Sequence, residues 1–238
     1  GKTYVSVDPR LFSLKKPIVL GVFGVGLPAA IQNLLNVTSM TIFNNFAAVF
    51  GTDALAAMGI VKKIDMIPMN VTMGLSQGIM PLVSYNYSSG NIKRAKGAVL
   101  LTGKIGAAFT LAVTALFFFG AGGIMGLFTK TPVVAEYGIR FLRGMCIGLT
   151  FLCLDFLAVG VFQAVGLGHY SLLFAFARKI VLEIPFIYLL NYLFPLYGLP
   201  YAQTVTEIIM AVLAISSLVY LFRKWEKKAA GSAAQSGE

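Results

Sequence analysis

Six stretches of this chain are too apolar, for too long, to be dissolved in water. They run about Lys16–Phe50, Asp53–Tyr87, Ile92–Phe128, Pro132–Val165, Tyr170–Phe194 and Leu199–Lys224. A helix crosses a bilayer with about 20 apolar residues, and most of the six exceed that, so tilted or protruding helices are expected. None alternates with the period of two that marks a barrel strand. Only 12% of the 238 residues are charged, against about 25% in ordinary soluble domains. The fold class that follows is all-α, a polytopic membrane bundle of six transmembrane helices over 16–228. Residues 1–15 read as a cytoplasmic inter-lobe or leader segment and 229–238 as a disordered cytoplasmic tail. The opening GKTYVSVDPR lacks Met and the apolar core of a signal peptide, so the chain reads as a piece of a longer polypeptide.

The formal net charge of +10 does not point to nucleic acid, because the cations gather at alternate ends of the apolar runs. With the amino terminus inside, the inside positions hold Lys2, Arg10, Lys15, Lys16, Lys93, Arg94, Lys96, Arg223, Lys224, Lys227 and Lys228, and the outside connections only Lys130. That bias places both termini in the cytoplasm and the chain in the plasma membrane (the inner membrane of a bacterial cell) as a multi-pass protein. Trp225 is placed to anchor the last helix at the inner interface. Cys146 and Cys153, seven apart in one apolar run, should share a helical face as small buried thiols. His169 is the only histidine, which excludes a multi-histidine metal or haem site. No metal site and no bound cofactor are expected.

Ionisable groups inside a membrane are costly and are functional candidates by default. The deepest are Lys62, Lys63, Asp65, Lys104, Asp155, Arg178, Lys179, Glu183 and Glu207. On the second helix Lys62, Met66, Asn70, Met73 and Gln77 follow helical spacing and share a face. Such a stripe suits a wet cleft for varied apolar cations, since methionine repacks easily, or a helix–helix seam with satisfied amides. The first helix repeats the theme with Gln32, Asn33, Asn36, Asn44 and Asn45. Pro28, Pro68, Pro81 and Pro185 fall inside helical runs, where each removes a hydrogen bond and can kink the helix. Glu183 and Glu207 lie at similar depth, with Arg178 about one and a half turns closer to the cytoplasm, and the three can cluster, as a coupling site or as a structural ion pair. Asp155, in LCLDFLAVG, has no cation within sequence reach on its helix. A lone carboxylate there serves ion coupling by taking a proton or a cation, or is a hydrogen-bonded structural acid.

Three segments carry a resemblance. GLPAAIQNLL (Gly26–Leu35), GLSQGIMPLVSYNYSSGNIKRAK (Gly74–Lys96) and FQAVGLGHYSLLFAFARKIVLEIPF (Phe162–Phe186) resemble the second six-helix lobe of the multidrug and toxic compound extrusion (MATE) family. The matching positions are Gly26 and Pro28, Gln77, Gly78, Pro81, Tyr85, Asn86 and Tyr87, Gln163 to Gly166, Arg178, Pro185 and Glu207. Ser88-Ser89 departs from the Gly-Ala usual after YNY. Asn36 stands near where some branches carry a glutamate, and Asp155 resembles the acid those branches use in the fourth helix.

The resemblance implies a cation-coupled antiporter, not an enzyme, driven by Na+ or H+ and exporting organic cations or drugs. Asp155, Glu207 and Glu183 would serve ion coupling. Gln32, Asn36, Lys62, Met66, Asn70, Met73, Gln77 and Arg178 would line the substrate cleft. The partners it implies are small organic cations, the lipid bilayer and an absent N-terminal lobe, supplied by the same polypeptide or by a homodimer mate. Two other readings stand beside it. A flippase-type exporter of the same superfamily would use Lys62, Lys63, Lys104, Arg178 and Lys179 to hold a pyrophosphate. A non-catalytic membrane subunit would explain the length but not the buried acids.

Overall fold

The computed structural model describes the backbone of residues 15–235; side chains 227–235 and several between 18 and 32, Gln32 among them, are outside the described set. The described chain is helical throughout, with no strand among these residues. Its elements are α1 (Lys16–Val49), α2 (Thr52–Ser88), α3 (Ile92–Phe128), α4 (Pro132–Cys146), α5 (Leu149–Ala164), α6 (Gly168–Phe176), a π-helical turn (Ala177–Glu183), α7 (Ile184–Leu193) and α8 (Gly198–Gln235). The glycines at the tight connections Gly51, Gly90 and Gly166 have positive φ, which costs a residue without Cβ little. By length and composition, α3 and Gly198–Glu226 of α8 can each cross a membrane, and α4 with α5 makes a third crossing bent by 46°. Large apolar side chains such as Phe119, Leu127 and Tyr192 stand more than four-fifths exposed, as suits a bundle dissolved in lipid rather than water.

Two expected single helices are interrupted. The fourth apolar stretch breaks at Ile147–Gly148, where the Gly148 N–H turns to the Met145 carbonyl. Backbone groups freed inside a membrane need new partners, and two threonines supply them. Thr204 Oγ1 donates to the Gly144 carbonyl at 2.7 Å, and Thr114 Oγ1 to the Cys146 carbonyl at 2.9 Å. The break corrects the expectation that Cys146 and Cys153 share one helical face; both are buried, on different helices. The fifth stretch stays one rod but contains the π turn immediately before Pro185. A residue without an N–H fits where the i→i−4 pattern is already shifted. At the far end, α8 remains helical to Gln235, through most of the segment read as a tail.

The core divides in two. One apolar cluster, around Phe43, Met58, Phe141, Met145 and Leu199, ends on α5 at Phe156 and on α8 at Ala202. The other, around Val83, Val99, Phe162 and Trp225, begins on α5 at Leu157 and on α8 at Met210. Between them on α8 lie the buried Gln203, Thr204, Thr206 and Glu207. Trp225 corrects a second expectation: it is buried, with its ring 4.8 Å from Tyr87 of the YNY motif and 5.4 Å from Phe222. It pins the end of α2 to α8 rather than facing the interface.

α2 and α5 pack face to face through Gly160, where an added Cβ would collide with the Ser76 side chain and carbonyl. Ser76 Oγ in turn donates to the Phe156 carbonyl at 2.6 Å. Gly160→Ala should therefore lower the stability of the detergent-solubilised protein by about 1–3 kcal/mol, as overpacking does. Gly123→Ala, which opens onto free space, should not. Thermal unfolding of the two variants checks the difference.

Candidate functional site

The polar belt opens into a cavity of about 530 Å³ walled by α1, α2, α8 and the π turn, with Leu152 of α5 at its back. From α1 come Asn33, Asn36, Ser39, Met40 and Phe43. From α2 come Lys62, Asp65, Met66, Met69, Asn70 and Met73. The π turn gives Arg178, Lys179 and Glu183, and α8 gives Gln203 and Glu207.

Three bonded groups organise it. In the first, Arg178 Nη1 donates to Asp155 Oδ2 at 3.0 Å, and Arg178 Nε lies 3.7 Å from Glu207 Oε1. The guanidinium also sits 5.1 Å from the Phe156 ring centroid. All three charged side chains are buried. One arginine thus serves two carboxylates, and Asp155 Oδ1 and Glu207 Oε2 are left buried without a donor among the described residues. In the second group Glu183 is fully provided for: Lys179 Nζ donates to Oε2 and Ser39 Oγ to Oε1, each at 2.5 Å. In the third, Lys62 Nζ donates to Gln203 Oε1 at 2.6 Å and lies 4.0 Å from the Phe43 ring centroid, while Gln203 Nε2 donates to Asp65 Oδ2 at 3.1 Å.

The π turn explains why one short segment can reach so many partners. An α-helix turns about 100° per residue, which would set Arg178 and Glu183 roughly 140° apart. A π turn, bonded i→i+5, turns less per residue than an α-helix, which narrows that angle and brings both side chains to the same cavity. Arg178 then meets α5 and α8 while Glu183 meets α1. The formal charge of the belt follows: Asp65, Asp155, Glu183 and Glu207 against Lys62, Arg178 and Lys179 leave one negative charge in excess.

The sequence model of the MatE family matches residues 28–189, some two-thirds of the chain. This chain belongs to the MatE family. It is 31% identical over 221 residues to the multidrug export protein MepA of Staphylococcus aureus, covering 92% of this chain and 48% of MepA. The MatE chain described here thus spans about half the length of the curated relatives it matches. Among solved structures, a MOP superfamily transporter from Pyrococcus furiosus superposes with a TM-score of 0.85 at 23% identity, over 94% of this chain and 51% of that one. The Vibrio cholerae MATE transporter VcmN in its bent form gives 0.81 at 20%, over 89% and 49%. These likenesses carry the fold: a helical membrane bundle.

Within this MatE bundle the expected site residues distribute unevenly. Asn36, Lys62, Met66, Asn70, Met73, Arg178, Glu183 and Glu207 line the one cavity. Gln77 is exposed and not part of its wall, and the side chain of Gln32 lies outside the described residues. Asp155, with no cation within reach on its own helix, finds one in Arg178, 23 residues away, and stands behind the cavity wall rather than on it. Glu183 shares the cavity of Arg178 and Glu207 but bonds to Lys179 and Ser39 instead of joining their cluster. Sequence reasoning missed Ser39, Phe43 and Gln203 as site residues, left Asp65 without a role and gave Lys179 one only in the flippase reading. For Lys179 and Glu183 the i, i+4 spacing was a usable signal; the others meet only through helix packing.

Arg178→Gln should strongly destabilise the protein, by about 3–5 kcal/mol, because it leaves two buried carboxylates facing each other without their cation. Adding Glu207→Gln to that variant should restore part of the loss. Thermal unfolding of the single and double variants in detergent measures it, and the absence of rescue would mean that the two side chains are energetically independent.

Proposed function

We propose that this MatE chain is the C-terminal lobe of a two-lobe exporter that exchanges organic cations for a coupling cation, as a six-span lobe with both termini in the cytoplasm. The observation that carries the reading is the single arginine held between two buried carboxylates, in a belt with one negative charge in excess and two orphaned carboxylate oxygens. One monovalent cation completes that balance, either the coupling ion or the cargo, and their competition is the exchange. Between the carboxylates the guanidinium takes the place a metal ion would need, whereas a proton needs only one oxygen. The geometry therefore favours H+ over Na+. The cargo side is supported by the walls: Met40, Met66, Met69 and Met73 give an adaptable surface, and Asn33, Asn36 and Asn70 adaptable hydrogen bonds.

The flippase reading fits less well. Lys62, Arg178 and Lys179 are each engaged by neighbours in an acid-rich cavity, so a pyrophosphate would enter against the net charge. Lys63 and Lys104 do not line that cavity. A purely structural subunit would leave the orphaned carboxylate oxygens unexplained.

In the complete exporter containing this lobe, Asp155→Asn and Glu207→Gln should each reduce efflux of a cationic dye under an imposed proton gradient by at least tenfold at equal expression. Glu183→Gln should act mainly on thermal stability, through loss of its link from α1 to the π turn. Efflux unchanged in both acid variants would remove the Arg178 group from coupling, and efflux driven by a sodium gradient alone would replace the proton.

The proposed orientation has its own check. Arg140, which follows the Lys130 connection, is paired with Glu136, so that side sets Lys130 and Arg143 against Lys93, Arg94, Arg223 and Lys224 at the other. A cysteine placed at the exposed Ser89, with Cys146 and Cys153 buried as background, should resist a membrane-impermeant thiol reagent added to intact cells and react once the cells are opened. Labelling in intact cells would invert the orientation.

A further inference from the structure

A second cavity, of about 500 Å³, lies away from the polar belt, in a groove between α3 and α8 that is floored by α5. α3 and α8 barely touch each other, and both pack on α5. Gly103 keeps the groove open, since its missing side chain would press on Leu157 of the floor. The body of the groove is apolar, but three cations line it: Lys96 and Lys104 from α3 and Arg223 from α8. Its one acid, Glu226, is already bonded to Lys96 at 2.7 Å. That bond sets the register of the two antiparallel helices, with Lys96 opposite Glu226 at the positively charged end of the bundle.

Lys104 lies eight residues further along α3, about 12 Å deeper at 1.5 Å per residue. It has no hydrogen-bond or ion-pair partner among the described residues, although it is flanked by leucine, isoleucine and glycine. A lysine at that depth reaches back toward the interface with its long stem, which carries its ammonium toward the level of Arg223. An apolar channel with two cations near its mouth, neither of which has an ion-pair partner among the described residues, complements an amphiphile with an anionic head.

We propose that this α3–α5–α8 groove is a binding site for an anionic phospholipid, with the phosphate held between Lys104 and Arg223 and one acyl chain lying along Leu157 and Phe222. The bound lipid would wedge α3 and α8 apart on their common floor and supply the counter-charge that Lys104 lacks. The site is separate from the cleft and stands whether or not the transport reading does.

Trp225, the only tryptophan, reports on it, because its ring packs on Phe222 in the groove wall. The 238-residue chain would be placed in phosphatidylcholine vesicles carrying equal fractions of either dibrominated phosphatidylglycerol or dibrominated phosphatidylcholine. Brominated phosphatidylglycerol should quench Trp225 at lower fractions than brominated phosphatidylcholine. Lys104→Gln and Arg223→Gln, both at exposed positions, should each cut that preference by roughly fivefold, the weight of one basic residue at an anionic lipid surface. Lys104→Arg should retain it, as should Lys93→Gln, which removes a cation from the same end of α3 outside the groove. Equal quenching by the two lipids in the parent chain would overturn the proposal. So would an equal loss of preference in Lys93→Gln, which would reduce the effect to general surface charge.

Discussion

A buried guanidinium shared between two carboxylates is the interaction on which the rest of this bundle turns. Arg178 joins three separate pieces of chain: the π turn that carries it, α5 through Asp155 and α8 through Glu207. An ion pair taken out of water is weak evidence for stability, since its desolvation penalty rivals its attraction. Here the pairing is also incomplete, because one positive charge cannot neutralise two negative ones. As a clamp the arrangement is incomplete, with one oxygen on each carboxylate left without a donor among the described residues. The neighbouring Glu183 shows what a clamp looks like, with both carboxylate oxygens bonded to donors on two helices.

The helices that present these groups are irregular where they do so. α4 and α5 part at Gly148 two turns before Asp155, and the rod holding Arg178 changes to π geometry at the residues that face the cavity. Irregular backbone in a membrane is tolerated where protein replaces water as its partner, and Thr114 and Thr204 do so at the break. Gly160 and Ser76 then hold α5 tightly to α2 beyond Asp155. The polar belt is thus bounded by two apolar cores, so cavity-forming and close-packed regions alternate along the same helices.

α8 is common to both faces of the molecule. Gln203 and Glu207 point it at the cleft, while Phe222 and Arg223, some four turns on, line the groove against α3. A shift of α8 along α5 would be felt at both, and Trp225, wedged on Tyr87, fixes the end from which such a shift would be measured.

The fold class was legible because it depends on averages: apolar runs longer than a bilayer is thick, cations at their alternate ends, and no two-residue alternation. The α2 stripe from Lys62 to Met73 was legible for a related reason, since a regular helix carries its own ruler. The approach of Arg178 to Glu207 came from counting depth along two helices, which survives small errors of rotation. What the sequence could not carry was partner choice. Asp155 looked isolated because only its own helix was within reach; the π turn and the packing of that rod on α5 brought its cation from 23 residues away. Gln203 and Ser39 are ordinary polar residues until tertiary packing sets them 2.6 Å from Lys62 and 2.5 Å from Glu183. The split of the cysteine pair, the burial of Trp225 and the exit of Gln77 from the cavity share one cause. A side chain's direction is set by helix rotation, and each break, π turn or glycine contact resets that rotation in a way periodicity along one strand of sequence does not record.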